Sequence, residues 1–255
     1  MAQERIVQVH FVPDIVPTGR LTGGTAVVID VLRATTTILY ALAAGCLSVR
    51  PCAELEEART LADEMRAGRV LLGGERGGKM PEGFDIGNSP QEFTKEVCQN
   101  TTLVMTTTNG TRAMIRAAEA EQAWIAAFGN YSAVCEQLRN DNRPTHILCS
   151  GTDGEVTLDD TILAGGLVDF LCDVANVRLN DSARLAWDSF ENHGGMLREA
   201  LDLSLGGAVL RQLGYDEDIR VAAEVDCFTF VPELRRDPLR VEIGVENIVA
   251  QHWMQ

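Results

Sequence analysis

The chain has few positively charged residues, and this scarcity excludes several classes of partner. Lysine and arginine together number 22 against 37 aspartates and glutamates, and the formal net charge is −15 at pH 7. Nucleic acids and anionic membranes bind clustered positive charge. We therefore expect neither a nucleic acid nor a membrane as partner. An anion that binds to this acidic chain needs local arginines, a divalent cation, or both.

The sequence also lacks the features of membrane, secreted and zinc-binding proteins. No apolar run reaches the roughly 18 residues that span a bilayer, and Met1–His10 alternates like a strand instead of forming the apolar centre of a signal peptide. The seven cysteines include no C-x-x-C pair, and the four histidines stand apart from them. We expect a cytoplasmic protein with reduced, buried thiols.

What is present is a regular alternation of strand and helix patterns. The apolar, β-branched segments lie at Thr25–Asp30, Leu47–Arg50, Arg69–Gly73, Thr102–Thr106, Ala123–Phe128 and His146–Cys149. The pattern between them is helical, most clearly at Glu54–Arg66. This order predicts an α/β fold with a mainly parallel sheet and helices on both faces.

After Cys149 the patterns are mostly helical, with one late strand expected at Cys227–Pro232. We predict a single α/β catalytic unit over residues 1–255 with a helix-rich C-terminal part. A weak boundary between two lobes is expected near residues 176–181. The three tryptophans, Trp124, Trp187 and Trp253, are interpreted as core residues.

Polar clusters follow four of the predicted strands, where parallel sheets bind their ligands. These clusters are Asp30–Thr37, Gly74–Arg76, Thr106–Arg112 and Ser150–Asp160. Because the carboxyl ends of parallel strands lie at one edge of a sheet, we expect the clusters to converge on one cleft.

One cluster continues into a glycine-rich loop. Residues 71–90 contain six glycines and three carboxylates, together with Arg76 and Lys79. Glycine lets backbone N–H groups approach an anion closely, and Ser89–Glu92 has the pattern of a capping box with proline at the first helical position. We predict that this loop binds an anion and ends at a helix N-terminus.

The expected cleft contains side chains that suit a phosphorylated substrate held with Mg²⁺. The ion binds carboxylates, keeps several waters and bridges to phosphate oxygens, and arginine presents a planar fork to phosphate or carboxylate. Candidate metal ligands are Asp30 with either Glu75 or Asp85.

Three known phosphate-handling motifs fail on the same residues. Residues Gly73–Lys79 match most of the P-loop motif, but the Ser or Thr that follows the lysine in that motif is absent. Cys149 ends a strand like the nucleophile of a cysteine phosphatase, yet Glu155 stands where its arginine belongs. Asp30 ends a strand as in haloacid-dehalogenase-type phosphatases, yet Leu32 replaces the second aspartate.

Four motifs, in order along the chain, resemble the 2-phosphosulfolactate phosphatase family. They are Asp30–Thr36, Gly74–Gly77 with Gly83–Pro90, Thr107–Thr111 and Asp159–Gly165. The resemblance implies a magnesium-dependent phosphatase that converts (R)-2-phospho-3-sulfolactate to 3-sulfolactate in coenzyme M biosynthesis. It also implies an α/β fold distinct from those of the common phosphatase superfamilies. One departure is Asp159, where glutamate is expected more often.

Together, these observations define a predicted site. The predicted catalytic residues are Asp30, Arg33, Glu75 and Arg76. The predicted metal ligands are Asp30, Glu75 and Asp85. The predicted substrate-binding residues are Thr35, Thr36, Gly74, Gly87, Asn88, Ser89, Thr108, Asn109, Gly110, Thr111, Arg112 and Asp160. Each has a structural alternative, since turn, cap and surface ion-pair residues share these types.

Two alternatives to this function stay open at the level of sequence. The chain could hydrolyse another small phosphorylated hydroxy acid, or it could be a non-catalytic anion-binding protein. The attacking group, water or an aspartate, is also open. So is the oligomeric state, with a homodimer as one alternative.

Overall fold

The computed structural model of the protein describes residues 4–65 and 67–244, and the described part contains a ten-stranded, mostly parallel sheet. The strands are β1 (Arg5–His10), β2 (Thr25–Ile29), β3 (Cys46–Cys52), β4 (Val70–Gly74), β5 (Thr101–Thr106), β6 (Gln122–Ala126), β7 (Thr145–Cys149), β8 (Val177–Leu179), β9 (Pro232–Arg235) and β10 (Arg240–Ile243). Their order is β4-β5-β3-β10-β9-β6-β2-β7-β1-β8. The six strands predicted from β-branched segments, β2 to β7, are confirmed.

The sheet consists of two parallel blocks joined by an antiparallel hairpin. Strands β4, β5 and β3 pair in parallel, as do β6, β2, β7, β1 and β8. The hairpin β9–β10 lies between them and pairs antiparallel with β6 and β3. Consecutive parallel strands require helical crossovers, which accounts for the βαβ alternation of the sequence.

The late strand predicted at Cys227–Pro232 is wrong in its position. The backbone before Pro232 bonds to a turn at residues 128–130 instead of to a strand, because Phe228 donates its N–H to the Gly129 carbonyl (2.7 Å). The two aromatic side chains of this segment are packed in the fold: Phe228 meets Tyr40 edge to face, and Phe230 is 2% exposed.

Helices cover both faces of the sheet, as predicted. They are α1 (Ala34–Ala43), α2 (Leu55–Glu64), α3 (Lys95–Cys98), α4 (Gly110–Ala117), α5 (Tyr131–Asn140), α6 (Leu158–Val174), α7 (Asp181–His193), α8 (Leu197–Leu203), α9 (Leu205–Gln212) and α10 (Asp216–Ala222). Alternate residues of β2 divide between two cores. Val27 and Ile29 pack with α5, α6 and α7, while Ala26 and Val28 pack with α1 and α4. This is the period of two that a strand buried on both faces requires.

The C-terminal part is helix-rich, as the sequence indicated. Residues 177–179, inside the segment expected as a weak boundary, form β8 and pair with β1. In the described ranges, no helix is both long and apolar enough to cross a membrane. Five of the seven free cysteines are buried, whereas Cys172 is half-buried and Cys227 is exposed.

The predicted core tryptophans differ in environment. Trp124 on β6 is 5% exposed, whereas Trp187 on α7 is half-buried and donates its indole N–H to Asp169 (2.8 Å). Trp253 lies outside the described residues, as does Arg66 at the end of the helix predicted for 54–66.

Candidate active site

A cavity of about 140 Å³ lies at the carboxyl ends of the parallel strands. All four polar clusters contribute to its lining, through Asp30, Glu75, Thr108 and Asp153. Its remaining wall comes from α9, with Gly206, Val209 and Leu210. The predicted convergence is therefore confirmed, and an apolar wall is added that the sequence did not indicate.

The convergence depends on contact between distant strands. Four strands separate β5 from β2 in the sheet order, which corresponds to about 24 Å in a flat sheet. Even so, Gly110, four residues after β5, adjoins Asp30 directly after β2: a Cβ built on Gly110 would lie 2.4 Å from Asp30 Oδ2. The segment after β5 therefore reaches back to the end of β2 and closes the cleft.

Asp30 is positioned by the start of α1. Its Oδ1 accepts the backbone N–H of Ala34 (3.1 Å), and its carbonyl accepts the N–H of Thr35 (2.9 Å). The side chain is buried at 7% exposure. The carboxylate therefore satisfies the N-terminus of α1 with one oxygen, and Oδ2 is directed toward Gly110.

Two further buried carboxylates lie behind Asp30, at the start of α6. Asp160 accepts hydrogen bonds from the backbone N–H groups of Val31 (2.9 Å), Ser150 (3.1 Å) and Gly151 (3.1 Å). Asp159 is 3% exposed, and its Oδ1 has no hydrogen-bond partner in the described chain. Asp160 therefore ties the ends of β2 and β7 together, whereas Asp159 keeps an unsatisfied acceptor.

Burial and mutual repulsion change the ionisation of this group. Loss of hydration raises the pKa of Asp30, Asp159 and Asp160 to about 7, and the charges of neighbouring carboxylates act in the same direction. Hydrogen bonds from backbone N–H groups partly oppose that rise. Groups that titrate near neutral pH in a cleft are typical of functional sites.

Glu75 joins two loops at the cleft. Its Oε1 accepts the Thr108 N–H (2.7 Å) and its Oε2 accepts the Gly78 N–H (2.8 Å). The residue is 8% exposed and lines the cavity. Because a carboxylate offers more acceptor positions than these two bonds use, Glu75 retains lone pairs for a ligand.

Four acidic side chains of the site have no cationic partner in the described part of the chain. Within residues 4–65 and 67–244, none of Asp30, Glu75, Asp159 and Asp160 takes part in an ion pair. Buried charges normally require a partner or a metal ion. An oxygen-donor set with excess negative charge fits a hard divalent cation such as Mg²⁺. The described chain holds no cluster of three or more His, Cys, Asp or Glu side chains arranged to bind a metal, so protein ligands would be few and waters would complete the shell.

Arg33 is buried and already constrained. Its Nη1 donates to Asp218 Oδ2 (2.6 Å), its Nη2 donates to the Gly78 carbonyl (2.8 Å), and its guanidinium lies 4.5 Å from the centre of the Tyr215 ring. Arg33 nevertheless lines the cavity. It is a fixed positive group in an otherwise acidic cleft.

The predicted residues Arg76, Asp85 and Arg112 lie outside the lining of this cavity. Arg76 donates to the carbonyls of Glu75 and Ala53 and to the Thr106 hydroxyl (2.8, 3.0 and 2.8 Å). Asp85 is exposed and accepts the Leu72 N–H (2.8 Å). Arg112 is 59% exposed and pairs with Glu54 across 3.5 Å.

Several predicted substrate-binding residues instead build the backbone around the cleft. The hydroxyls of Thr35 and Thr36 donate to the carbonyls of Asp30 and Val31, and Thr111 bonds to Thr107. At Gly74, where φ is 147°, a Cβ would lie 2.0 Å from the Thr106 carbonyl oxygen, so only glycine fits.

The predicted capping box at Ser89 is wrong. The segment Pro90–Glu92 forms only a three-residue 3-10 turn, and the Ser89 hydroxyl donates to Asp218 Oδ1 (2.6 Å). Glu92 instead accepts the Gly87 N–H (3.0 Å). The Ser89 side chain therefore contacts a buried residue of α10 and does not cap the local turn. The turn is too short to provide the helix N-terminus that was expected to bind an anion.

Two polar atoms in the cleft are unsatisfied. Asn88 Oδ1 and Thr108 Oγ1 have no hydrogen-bond partner in the described chain, although both atoms are buried. Both residues line the cavity, as does Asn109, whose side chain accepts the Asp153 N–H (3.1 Å). Buried unsatisfied atoms are rare in proteins, so these are candidates for ligand contacts.

Comparison with known proteins identifies the family of the chain. Residues 10–237 match the family model described as 2-phosphosulpholactate phosphatase. The chain belongs to this family. A relative from Symbiobacterium thermophilum, named "Probable 2-phosphosulfolactate phosphatase", is 39% identical over 220 residues, which cover 86% of this chain and 94% of the relative.

Two further relatives carry the same printed name. The protein from Caldanaerobacter subterraneus subsp. tengcongensis is 36% identical over 214 residues, covering 84% of this chain and 89% of the relative. The protein from Prochlorococcus marinus is 39% identical over 236 residues, covering 89% of this chain and 94% of the relative.

In this member of the 2-phosphosulfolactate phosphatase family, the sequence motifs account for one side of the cleft. Sequence reasoning did not include Asp218 or the α9 wall with Val209 and Leu210 in the site. Asp218 follows Asp216 and Glu217 in the first turn of α10, where acidic residues commonly interact with the helix dipole. Its buried contact with Arg33 has no local sequence signal.

Proposed function

We propose that the protein is a magnesium-dependent phosphatase that hydrolyses (R)-2-phospho-3-sulfolactate to 3-sulfolactate and inorganic phosphate. The observation that carries this proposal is the buried, uncompensated carboxylate group around Asp30, placed at a small cleft beside the fixed cation Arg33. The family membership and the names of the relatives support the same reaction.

Electrostatics explains why such a site needs a metal. A phosphomonoester that carries a carboxylate and a sulfonate is strongly anionic, and Asp30, Glu75, Asp159 and Asp160 would repel it. Mg²⁺, when bound, supplies positive charge that neutralises phosphoryl oxygens as the reaction proceeds. Asp30 and Glu75 are the residues that would hold it, whereas Asp85 is directed away from the cleft.

The other cleft residues bind and orient the substrate. Arg33 offers charged N–H donors to an anionic oxygen. The unsatisfied Thr108 hydroxyl can donate a hydrogen bond to an anionic oxygen of the substrate, whereas Asn88 Oδ1 can only accept one, for example from a water molecule. The α9 residues Val209 and Leu210 exclude bulk water from one side. In the reaction a water oxygen becomes bonded to phosphorus, the bond from phosphorus to the substrate's C2 oxygen breaks, and that oxygen gains a proton.

The first test is phosphate release from racemic 2-phospho-3-sulfolactate, with Mg²⁺ and with a chelator. Phosphoglycolate, 3-phosphoglycerate and phosphoenolpyruvate serve as competing esters. Fast, metal-dependent release from phosphosulfolactate alone is the expected outcome. Faster release from another ester would show that this ester, and not phosphosulfolactate, is the substrate. Binding of the ester without phosphate release would favour a non-catalytic anion-binding protein.

A pair of variants links that activity to the cleft. Asp30→Asn keeps the shape of the side chain but removes its charge, and we expect it to abolish turnover. The matched control is Asp188→Asn, at an exposed position of α7, which should keep the wild-type rate. Full activity in Asp30→Asn would remove this residue from the reaction.

A further inference from the structure

Asp218 connects the C-terminal helices to the cleft. It belongs to α10 and is 2% exposed. Its Oδ2 accepts Arg33 Nη1 at 2.6 Å and its Oδ1 accepts the Ser89 hydroxyl at 2.6 Å. Each carboxylate oxygen therefore contacts a different motif of the cleft, one after β2 and one at the end of the glycine-rich loop.

Asp218 is one of three restraints on the Arg33 guanidinium. The Gly78 carbonyl accepts the second terminal nitrogen (2.8 Å), and the Tyr215 ring lies against the guanidinium face at 4.5 Å. Tyr215 and Asp218 come from the same end of α10. These contacts use one N–H of each terminal nitrogen, and the described chain provides no hydrogen-bond acceptor for Nε. The guanidinium therefore keeps donors for a ligand while its plane is fixed.

We propose that Asp218 is a positioning residue that orients Arg33 for the anionic substrate and, through Ser89, aligns the glycine-rich loop with it. The inference rests on the proposed function, because it assigns Arg33 to binding the phosphorylated substrate. It adds that a fixed guanidinium plane, supported by α10, is required for that binding.

A purely structural role for Asp218 makes a different prediction, and the chain offers a matched control. Asp141 is also buried, at 8% exposure, and also joins a hydroxyl to a guanidinium: it accepts hydrogen bonds from Thr25 and from Arg143 (2.9 Å). Thr25 begins β2, so this cluster lies at the opposite end of the strands from the cleft. Asp141→Asn should lower the unfolding midpoint and leave kcat and KM unchanged.

The test is a double-mutant cycle with Asp218→Asn, Arg33→Ala and the double variant, with steady-state kinetics on 2-phospho-3-sulfolactate. We expect Asp218→Asn to lower kcat/KM by about tenfold or more, the effect of displacing one charged hydrogen bond. In the Arg33→Ala background the same substitution should lower kcat/KM by a clearly smaller factor, because the effect through Arg33 is already lost and only the effect through Ser89 remains. Additive effects would overturn the inference.

A second variant covers the case in which Asp218→Asn does not fold. Asp218→Glu keeps the charge but moves it by one methylene, and it should lower kcat/KM in protein that circular dichroism shows to be folded at the assay temperature. Wild-type kinetics in Asp218→Glu, with Asp218→Asn unfolded, would reduce Asp218 to a structural role and overturn the inference.

Binding measurements separate the two proposals. The probe is inorganic phosphate with Mg²⁺, titrated calorimetrically into the wild type and the variants. A wild type that binds phosphate but releases none from any ester overturns the proposed function, and weaker phosphate binding in Asp218→Asn would still support the positioning role. A wild type that neither binds phosphate nor releases it from any ester overturns both. Equal phosphate affinity and equal kinetics in wild type and Asp218→Asn overturn the positioning role alone.

Discussion

A Cβ atom on Gly110 would lie 2.4 Å from Oδ2 of Asp30. The same atom would lie 2.5 Å from the Cβ of Ala34 in α1. Helix α4 therefore begins in direct contact with the carboxylate that follows β2. The Thr107–Thr111 motif contains glycine at this position because any side chain there would displace the central acid of the cleft.

Gly110→Ala should reduce activity sharply. Inserting a methyl group into this packed contact costs about 1–3 kcal/mol, and the displaced atom is the Asp30 carboxylate itself. We expect kcat to fall by about tenfold or more, because small misplacements of reacting groups have large effects on rate. Phosphate release and urea unfolding measure the two effects. Gly195→Ala, where a Cβ meets no heavy atom within 4 Å, is the control that should retain both, and an unchanged rate in Gly110→Ala would contradict this account.

Glu75→Gln should loosen two loops at once. The carboxylate accepts the N–H groups of Thr108 and Gly78 at 2.7 and 2.8 Å, and an amide would place a donor against one of them. The cost of an unsatisfied buried group is about 1–3 kcal/mol. We expect lower stability together with a higher Mg²⁺ requirement for phosphate release. Glu191→Gln, exposed on α7, should behave as the wild type, and an unaltered Mg²⁺ dependence in Glu75→Gln would remove Glu75 from the metal site.

The sequence predicted the parallel strands because their signal is local. Strands such as β2 and β7 are continuous apolar segments between helical patterns, which a window of a few residues detects. The β9–β10 hairpin was missed because its support is distant: Val241 pairs with Val49, and Glu233 pairs with Trp124. Half of residues 232–243 are charged, and the segment resembles a loop.

The site was predictable to the extent that strand ends determine it. Asp30 and Glu75 directly follow strands, and both line the cleft. Asp85 and Arg76 lie in or beside the glycine-rich loop, where no periodicity fixes the direction of a side chain, and both are directed elsewhere. Asp218 could not be found locally, since its partner Arg33 is 185 residues away in the chain.

Arg76→Ala should lower stability and activity together. Its guanidinium donates to the carbonyls of Glu75 and Ala53 and to the hydroxyl of Thr106. Removing it leaves buried acceptors unpaired, at about 1–3 kcal/mol, and frees the backbone of Glu75. Thermal unfolding and phosphate release, compared with Arg184→Ala on the exposed side of α7, measure both. Lost turnover at full stability would instead place Arg76 in contact with the substrate.

Two sets of buried groups change the free energy of unfolding in opposite directions as the pH rises. Burial lowers the pKa of His10 and of His146 to about 4, so their contribution to stability is lost as the pH falls below their ordinary value of 6.5. Burial raises the pKa of Asp30 and Asp159 to about 7, so the stability they contribute as protonated acids is lost as the pH rises from about 4 to 7. The two effects therefore partly cancel when the free energy of unfolding of the wild type alone is measured against pH. The difference in that free energy between the wild type and a variant isolates one of them.

Asp159→Asn should become progressively more stable than the wild type between pH 5 and pH 7 in the presence of a chelator. Burial and the charge of Asp30 raise the pKa of the wild-type Asp159 carboxyl to about 7. Between the ordinary and the raised pKa, the wild type therefore loses up to about 1.4 kcal/mol of unfolding free energy per pH unit. The amide has no such cost, and the histidine contributions cancel in the comparison. Urea unfolding at half-unit pH steps measures the difference, with Asp188→Asn as the exposed control that should run parallel to the wild type. If the free energies of unfolding of Asp159→Asn and wild type run parallel with pH, Asp159 is ionised throughout this range. Saturating Mg²⁺ should reduce the stability difference between the two proteins, because the cation stabilises the ionised carboxylate.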